Sequence, residues 1–170
     1  MDFDGDARLD YIVCGWYTPD YADYARGLID SLDVLHEPHD IVAVDPGHGG
    51  WEAQTMRKPR QIMQAMRRHP DKTVIFLDVD CRVRNPLAPL ACVRGDIAVH
   101  LMAGARSRGY GRLFGRTTTL VLNQTGATRA FVATWCALSE DAPRGQVDQH
   151  TFTEAIVRTP GLSVVNLPAE

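Results

Sequence analysis

Paired cysteines are absent from this sequence. Cys14, Cys81, Cys92 and Cys136 are widely spaced and form no CxxC. That spacing excludes a zinc ribbon and argues against a disulfide framework, and it reads as free, mostly buried thiols in a reducing compartment. No apolar run approaches the roughly 20 residues that cross a bilayer, so no transmembrane segment is expected. The first ten residues are acidic and polar, the wrong composition for a secretory leader, so a cytoplasmic protein is expected. Peripheral contact with a membrane enzyme or a lipid substrate stays open. Lysine is scarce: of 18 basic residues only Lys58 and Lys72 are not arginine. With a net charge of −3, a general affinity for nucleic acid is excluded. Repeats, low-complexity tracts and linkers are also missing, so the 170 residues read as a single domain, 1–170, with an acidic stretch at 1–9 prone to fray.

What is present is alternation of strand and helix patterns. Residues 9–16 read as a first strand. Apolar residues at Tyr21, Tyr24, Ala25, Leu28, Ile29, Leu32 and Leu35 follow with helical spacing. A short strand at 41–44 leads into a loop at 45–50 with three glycines. Pro59 opens a helix whose apolar face is Ile62, Met63, Ala65 and Met66. Strands are expected at 73–77, 96–102, 117–122 and 162–167, and helices at 127–139 and 149–157. Such an order predicts an α/β/α sandwich around a mostly parallel, mixed central sheet.

The strand at 73–77 runs directly into Asp78-Val79-Asp80. Side chains alternate along a strand, so the two carboxylates start on one face, at the carboxyl end where open α/β sheets bind ligands. Two hard oxygen donors there suit Mg2+ or Mn2+ together with phosphate oxygens. The competing reading is a pair of strand-end turn residues. Cys81 is read as packing, because hard cations do not favour sulfur.

Other candidates each carry a plain alternative. Asp148 precedes a helix and reads as its N-cap. His100, inside an apolar strand, reads as a packed, hydrogen-bonded side chain. His48 sits in the glycine-rich loop as a possible lid residue, and Trp51 is either an aromatic platform or that loop's anchor. Arg106, Arg108, Arg112 and Arg116 with Tyr110 form a basic stretch, either an anion-holding loop or a solvated one. Asp2, Asp4, Asp6 and Asp10 resemble a calcium loop, but the glycine is one place early and Val13 stands where the bidentate Glu belongs.

Taken in order, these segments resemble the GT-A-fold glycosyltransferases of the nucleotide-diphospho-sugar transferase superfamily. The resemblance runs from about Asp10 to Leu167. It rests on Asp10-Tyr11-Ile12-Val13 with the following helix, Lys58-Pro59-x-x-Ile62-x-x-Ala65, Phe76-Leu77-Asp78-Val79-Asp80 with Val83-x-x-Pro86-Leu87, the strand 117–123, and Asp148-Gln149-x-x-Phe152. It implies a sugar donor activated by a nucleoside diphosphate, UDP or GDP, an acceptor of unspecified class, and a divalent cation. Tyr17, Thr18 and Pro19 would lie beside base and ribose, and Lys58 near the diphosphate, its alternative being an exposed helix-start lysine. Asp78 would contact the ribose or a metal-bound water. Asp80 would hold the cation. The family often supplies a later histidine as a metal ligand; none follows His150 here, so His150 is the substitute. Asp148 and Gln149 would flank the sugar, as base in an inverting transfer or as polar neighbours in a retaining one, the latter favoured by the Asp-Gln pair. A homo-oligomer or partner chain completing the acceptor site, a non-catalytic homologue and a nucleotidyltransferase remain alternatives. The last fits less well, since no glycine-rich loop followed by a basic residue lies near the first strand.

Overall fold

A computed structural model of the chain describes residues 10–103 and 113–168. Arg106, Arg108, Tyr110 and Arg112 of the basic stretch, and the acidic run before Asp10, lie outside the described residues. Asp10, the last carboxylate of that run, pairs with Lys72 at 2.9 Å.

In chain order the elements are β1 (Tyr11–Tyr17), α1 (Ala22–Val34), β2 (His39–Ala43), α2 (Trp51–Thr55), α3 (Lys58–Arg68), β3 (Thr73–Leu77), α4 (Ala88–Ala91), β4 (Ile97–Ala103), β5 (Leu113–Leu122), α5 (Gly126–Glu140), α6 (Asp148–Val157) and β6 (Val164–Asn166). A single 3-10 turn at Pro19–Tyr21 leads into α1. The six strands form one sheet in the order β2-β1-β3-β5-β4-β6. β1 pairs parallel with β2 and β3, and β4 with β6, while β5 runs antiparallel to both its neighbours. The sheet is thus mixed and mostly parallel, as the alternating pattern predicts.

Period-two alternation assigns the two faces. Val13, Ile75 and Leu77 pack on Ala25, Leu28 and Leu32 of α1. On the other face Ile12, Cys14, Val74, Phe76, Val99 and Leu120 pack against α3, α5 and α6. Both faces are covered, which explains the unbroken apolar run of β3. An aromatic cluster anchors the second face: Phe152 meets Phe131 edge-on at 5.3 Å and Trp135 at 4.9 Å. Thr125 caps α5 by accepting from the Thr128 amide at 3.1 Å. No helix among the described residues is long and apolar enough to cross a membrane.

Candidate active site

A cleft of about 740 Å3 opens over the carboxyl ends of β1, β2 and β3. One wall comes from the end of β1, where Trp16, Tyr17, Thr18 and Pro19 line it, and from the β2–α3 connection, where Gly47, Trp51, Gln54 and Thr55 do. Gly47 and Gly49 take positive φ of 59° and 108°, conformations that a side chain would strain. Arg57 braces this wall: its Nη1 donates to the Asp45 carbonyl at 2.8 Å and to Gln54 Oε1 at 2.7 Å, and its guanidinium lies 5.6 Å from the Trp16 ring centroid. Trp51 is exposed within the cleft. His48 does not line it.

Lys58 lies at the floor. It begins α3, where the helix macrodipole disfavours a cation. Its burial there, at 5 % exposure, therefore needs compensating charge. Asp78 and Asp148 supply it: Lys58 Nζ is 2.9 Å from Asp78 Oδ1, 3.2 Å from Asp78 Oδ2 and 2.9 Å from Asp148 Oδ2. Thr117 completes the cluster, donating its hydroxyl to Asp148 Oδ2 at 2.6 Å while its Oγ1 and carbonyl lie 3.2 and 3.3 Å from Lys58 Nζ. Burial pushes the Lys58 ammonium down, but the charges of Asp148 and Asp78 outweigh it and its pKa rises. Burial drives Asp78 above the ordinary carboxylate value, against the pull of Lys58 and with help from Asp148 and Asp80. The alternative of an exposed helix-start lysine is excluded.

Asp148 is not the N-cap. That position belongs to Val147, and Asp148 is the first helical residue, its carboxylate turned to Lys58 and Thr117. The indole of Trp135 fixes this helix start, donating to the Asp148 carbonyl at 3.2 Å. Gln149 follows and lines the cleft. His150 does not join Asp78 and Asp80: its Nδ1 turns back to the Val147 backbone amide at 3.2 Å, and no convergence of its ring with the two carboxylates is found. His100 bonds the Leu167 carbonyl through Nδ1 at 3.0 Å, which is the packed role expected of it. Thr117 and Thr118 escaped individual attention in the sequence. Their only signal is a run of three threonines, Thr117–Thr119, inside a β-branched strand.

The two acids of the Asp-x-Asp pair thus have different surroundings. Asp78 is committed to Lys58. Asp80 lines the cleft, is exposed, and makes no ion pair or side-chain hydrogen bond among the described residues. Four aspartates, Asp20, Asp78, Asp80 and Asp148, line the cleft against Lys58 alone among the described cleft-lining bases. Such an excess of negative charge, with the Asp80 carboxylate unengaged at the strand end, fits a divalent cation on Asp80.

The segment after Asp80 is held down at three points. Arg82 Nη1 donates to the Tyr24 carbonyl at 3.2 Å, the Val83 amide to Ser31 Oγ at 3.1 Å, and the Leu87 amide to Glu37 Oε1 at 2.8 Å. Gly27 makes room for the first, since a Cβ there would lie 1.9 Å from Arg82 Nη2. Gly27→Ala is expected to change stability by no more than about 1 kcal/mol, because helix propensity gains what the Arg82 contact loses. Hydrogen exchange of the Cys81 and Arg82 amides should nonetheless quicken. Unchanged exchange there would mean that Arg82 does not hold the loop.

No family model and no curated protein matches the chain. Solved structures do. A glycosyltransferase involved in glycosylation of the major capsid of PBCV-1 superposes with a TM-score of 0.69 at 17 % identity, covering 92 % of this chain and 81 % of that one. The galactosyltransferase LgtC, solved with donor and acceptor sugar analogues, gives 0.57 at 14 % identity over 91 % of this chain and 73 % of its own. GlyE of Streptococcus pneumoniae gives 0.58 at 13 % identity, and this chain spans 45 % of its length. At these identities the likeness is one of architecture: the chain has the α/β fold of the GT-A glycosyltransferases.

Proposed function

We propose that this chain transfers a sugar from a UDP- or GDP-sugar to an acceptor, with Mn2+ or Mg2+ held at Asp80. The observation that carries the reading is the charge of the cleft, four aspartates over one buried lysine, at the strand ends of a GT-A fold. A diphosphate would be repelled from such a surface without a cation between. When bound, the cation supplies Lewis-acid stabilisation of the departing nucleoside diphosphate. Tyr17, Thr18 and Pro19 receive base and ribose at the end of β1. Lys58 holds Asp78 and Asp148 in one orientation and offsets their charge beneath the sugar.

A retaining transfer is favoured over an inverting one. A general base must turn a carboxylate oxygen toward the acceptor hydroxyl, whereas Asp148 turns its Oδ2 to Thr117 and Lys58 at the cleft floor. Asp148 instead orients the sugar, and the Gln149 amide lies beside the reacting carbon. LgtC has also been solved as an active-site glutamine-to-glutamate variant, which supports a working glutamine in a cleft of this fold. The engagement of both Asp78 and Asp148 by Lys58 equally suits a domain that binds nucleotide or sugar without turnover. Transfer assays with radiolabelled donors separate the two.

The test of the donor site is thermal unfolding with UDP or GDP, with and without Mn2+. At about 100 Kd a ligand adds roughly 2.7 kcal/mol, which for a chain of this size is a rise of roughly 5–10 °C. A manganese-dependent rise with one nucleotide, lost in Asp80→Ala, is expected. No rise with either nucleotide would sink the proposal.

A further inference from the structure

We propose that Cys14, Asp40 and His69 form a second cation site, of the thiolate–carboxylate–imidazole kind that takes zinc. The three residues come from β1, β2 and the residue that ends α3, and one ligand atom from each lies within 4.8 Å of the other two. Parallel register sets Cys14 directly beside Asp40. His69 Nε2 is 2.8 Å from Asp40 Oδ2. Ligands of tetrahedral zinc lie roughly 3.3–3.8 Å apart, given bonds of about 2.0–2.3 Å, so modest side-chain adjustment seats the ion. Cys14 is buried, whereas His69 and Asp40 are each about one-quarter exposed, so a cation reaches the thiol past them. The fourth position is left to water.

This site is separate from the cleft. Lys58 and Arg68 bound the 11 residues of α3, and a rise of 1.5 Å per residue sets its ends roughly 16 Å apart. The cation would tie the far end of that helix to the β1–β2 edge.

One side chain competes for the site. Arg68 Nε donates to Asp40 Oδ2 at 2.8 Å, the same oxygen that faces His69. Arg68 is 40 % exposed at its side chain, so a cation that displaced it would return its guanidinium to water. Without a cation the Cys14 thiol keeps its proton: burial first, then the charge of Asp40, push it up to about 12, with Arg68 opposing. Zinc therefore displaces a proton from sulfur on binding.

The experiment is titration of the whole chain with Zn2+ and with Co2+, whose thiolate complexes absorb in the near ultraviolet. One equivalent of Co2+ should produce the charge-transfer band, and Zn2+ should abolish it. Cys14→Ser should remove the band. His69→Gln, a change at a half-buried helix end that leaves the core intact, should weaken binding at least tenfold. Arg68→Ala should strengthen binding, because it deletes the competitor. Asp80→Ala and Cys92→Ser should leave the band unchanged. Absence of a saturable band, its survival in Cys14→Ser, its loss in Cys92→Ser, or weaker binding in Arg68→Ala would each overturn the proposal and leave the trio as an ion-paired network.

Discussion

Lys58→Met is expected to destabilise the protein by about 3–5 kcal/mol at neutral pH, the usual consequence of removing one partner from a buried ion pair. The loss comes less from the missing attraction than from what remains. Asp148 is buried with Asp78 beside it, and without Lys58 two carboxylates share a desolvated floor. The pH dependence carries a signature. In the wild type the raised Lys58 pKa contributes stability that is fully present below the ordinary lysine value of 10.5 and is lost as pH rises through the higher folded value. Asp78 has the same sign at the acid end of the scale. Its folded pKa lies above 3.8, so the folded state holds the proton more firmly, and that contribution is present in acid and lost as pH rises through the folded value. Removing Lys58 deletes the charge and the hydrogen bond that lower Asp78, and its pKa climbs further. The deficit of Lys58→Met should therefore shrink on acidification from pH 7 to pH 5. Urea denaturation at both values measures it. A loss below about 1 kcal/mol, or one independent of pH, would show that the cluster is solvated.

Much of this floor was legible one residue at a time, but its assembly was not. The strand leading to Asp78 was readable to its boundaries, because an apolar β-branched run ending in two acids admits few other structures. Lys58 and Asp148 each had an adequate local explanation, a solvated helix start and a helix cap. Only their meeting across β5, through Thr117, excludes both. Reading Asp148 as a cap failed because a buried cation outcompeted the helix amides for its carboxylate. The short helices α2 and α4 were missed since four or five residues cannot display a helical period. β2 begins at His39 rather than 41 because it is an edge strand, whose half-buried residues need no apolar run. Cys14, Asp40 and His69 carried no motif at all. Parallel register and the length of α3 bring them together, and neither can be read from spacing alone.

Phe152→Ala should cost about 3–5 kcal/mol, and its partner across the core is a glycine. Phe152 is fully buried, wedged edge-on between Phe131 and Trp135. Its ring rests on β5 at Gly115, where an added Cβ would lie 2.5 Å from Cε1 and 2.7 Å from Cδ1. The ring has no room to retreat, so Gly115→Ala must shift α6 or the strand, at roughly 1–3 kcal/mol for an overpacked site. α6 is the element that matters, because Asp148 lies one turn before Phe152 on it and Trp135 holds both its start and the ring. Phe152→Leu trims the atoms nearest Gly115. It should be destabilising in the parent and should partly rescue Gly115→Ala, giving a coupling of about 1 kcal/mol or more in a double-mutant cycle. Urea midpoints of the four proteins supply the cycle. Additive losses would mean that β5 yields at Gly115 and that the strand, not the aromatic cluster, is the soft side of the contact; a coupling of the expected sign makes the Phe152 ring the part that sets the height of α6, and with it the carboxylate of Asp148, over the sheet.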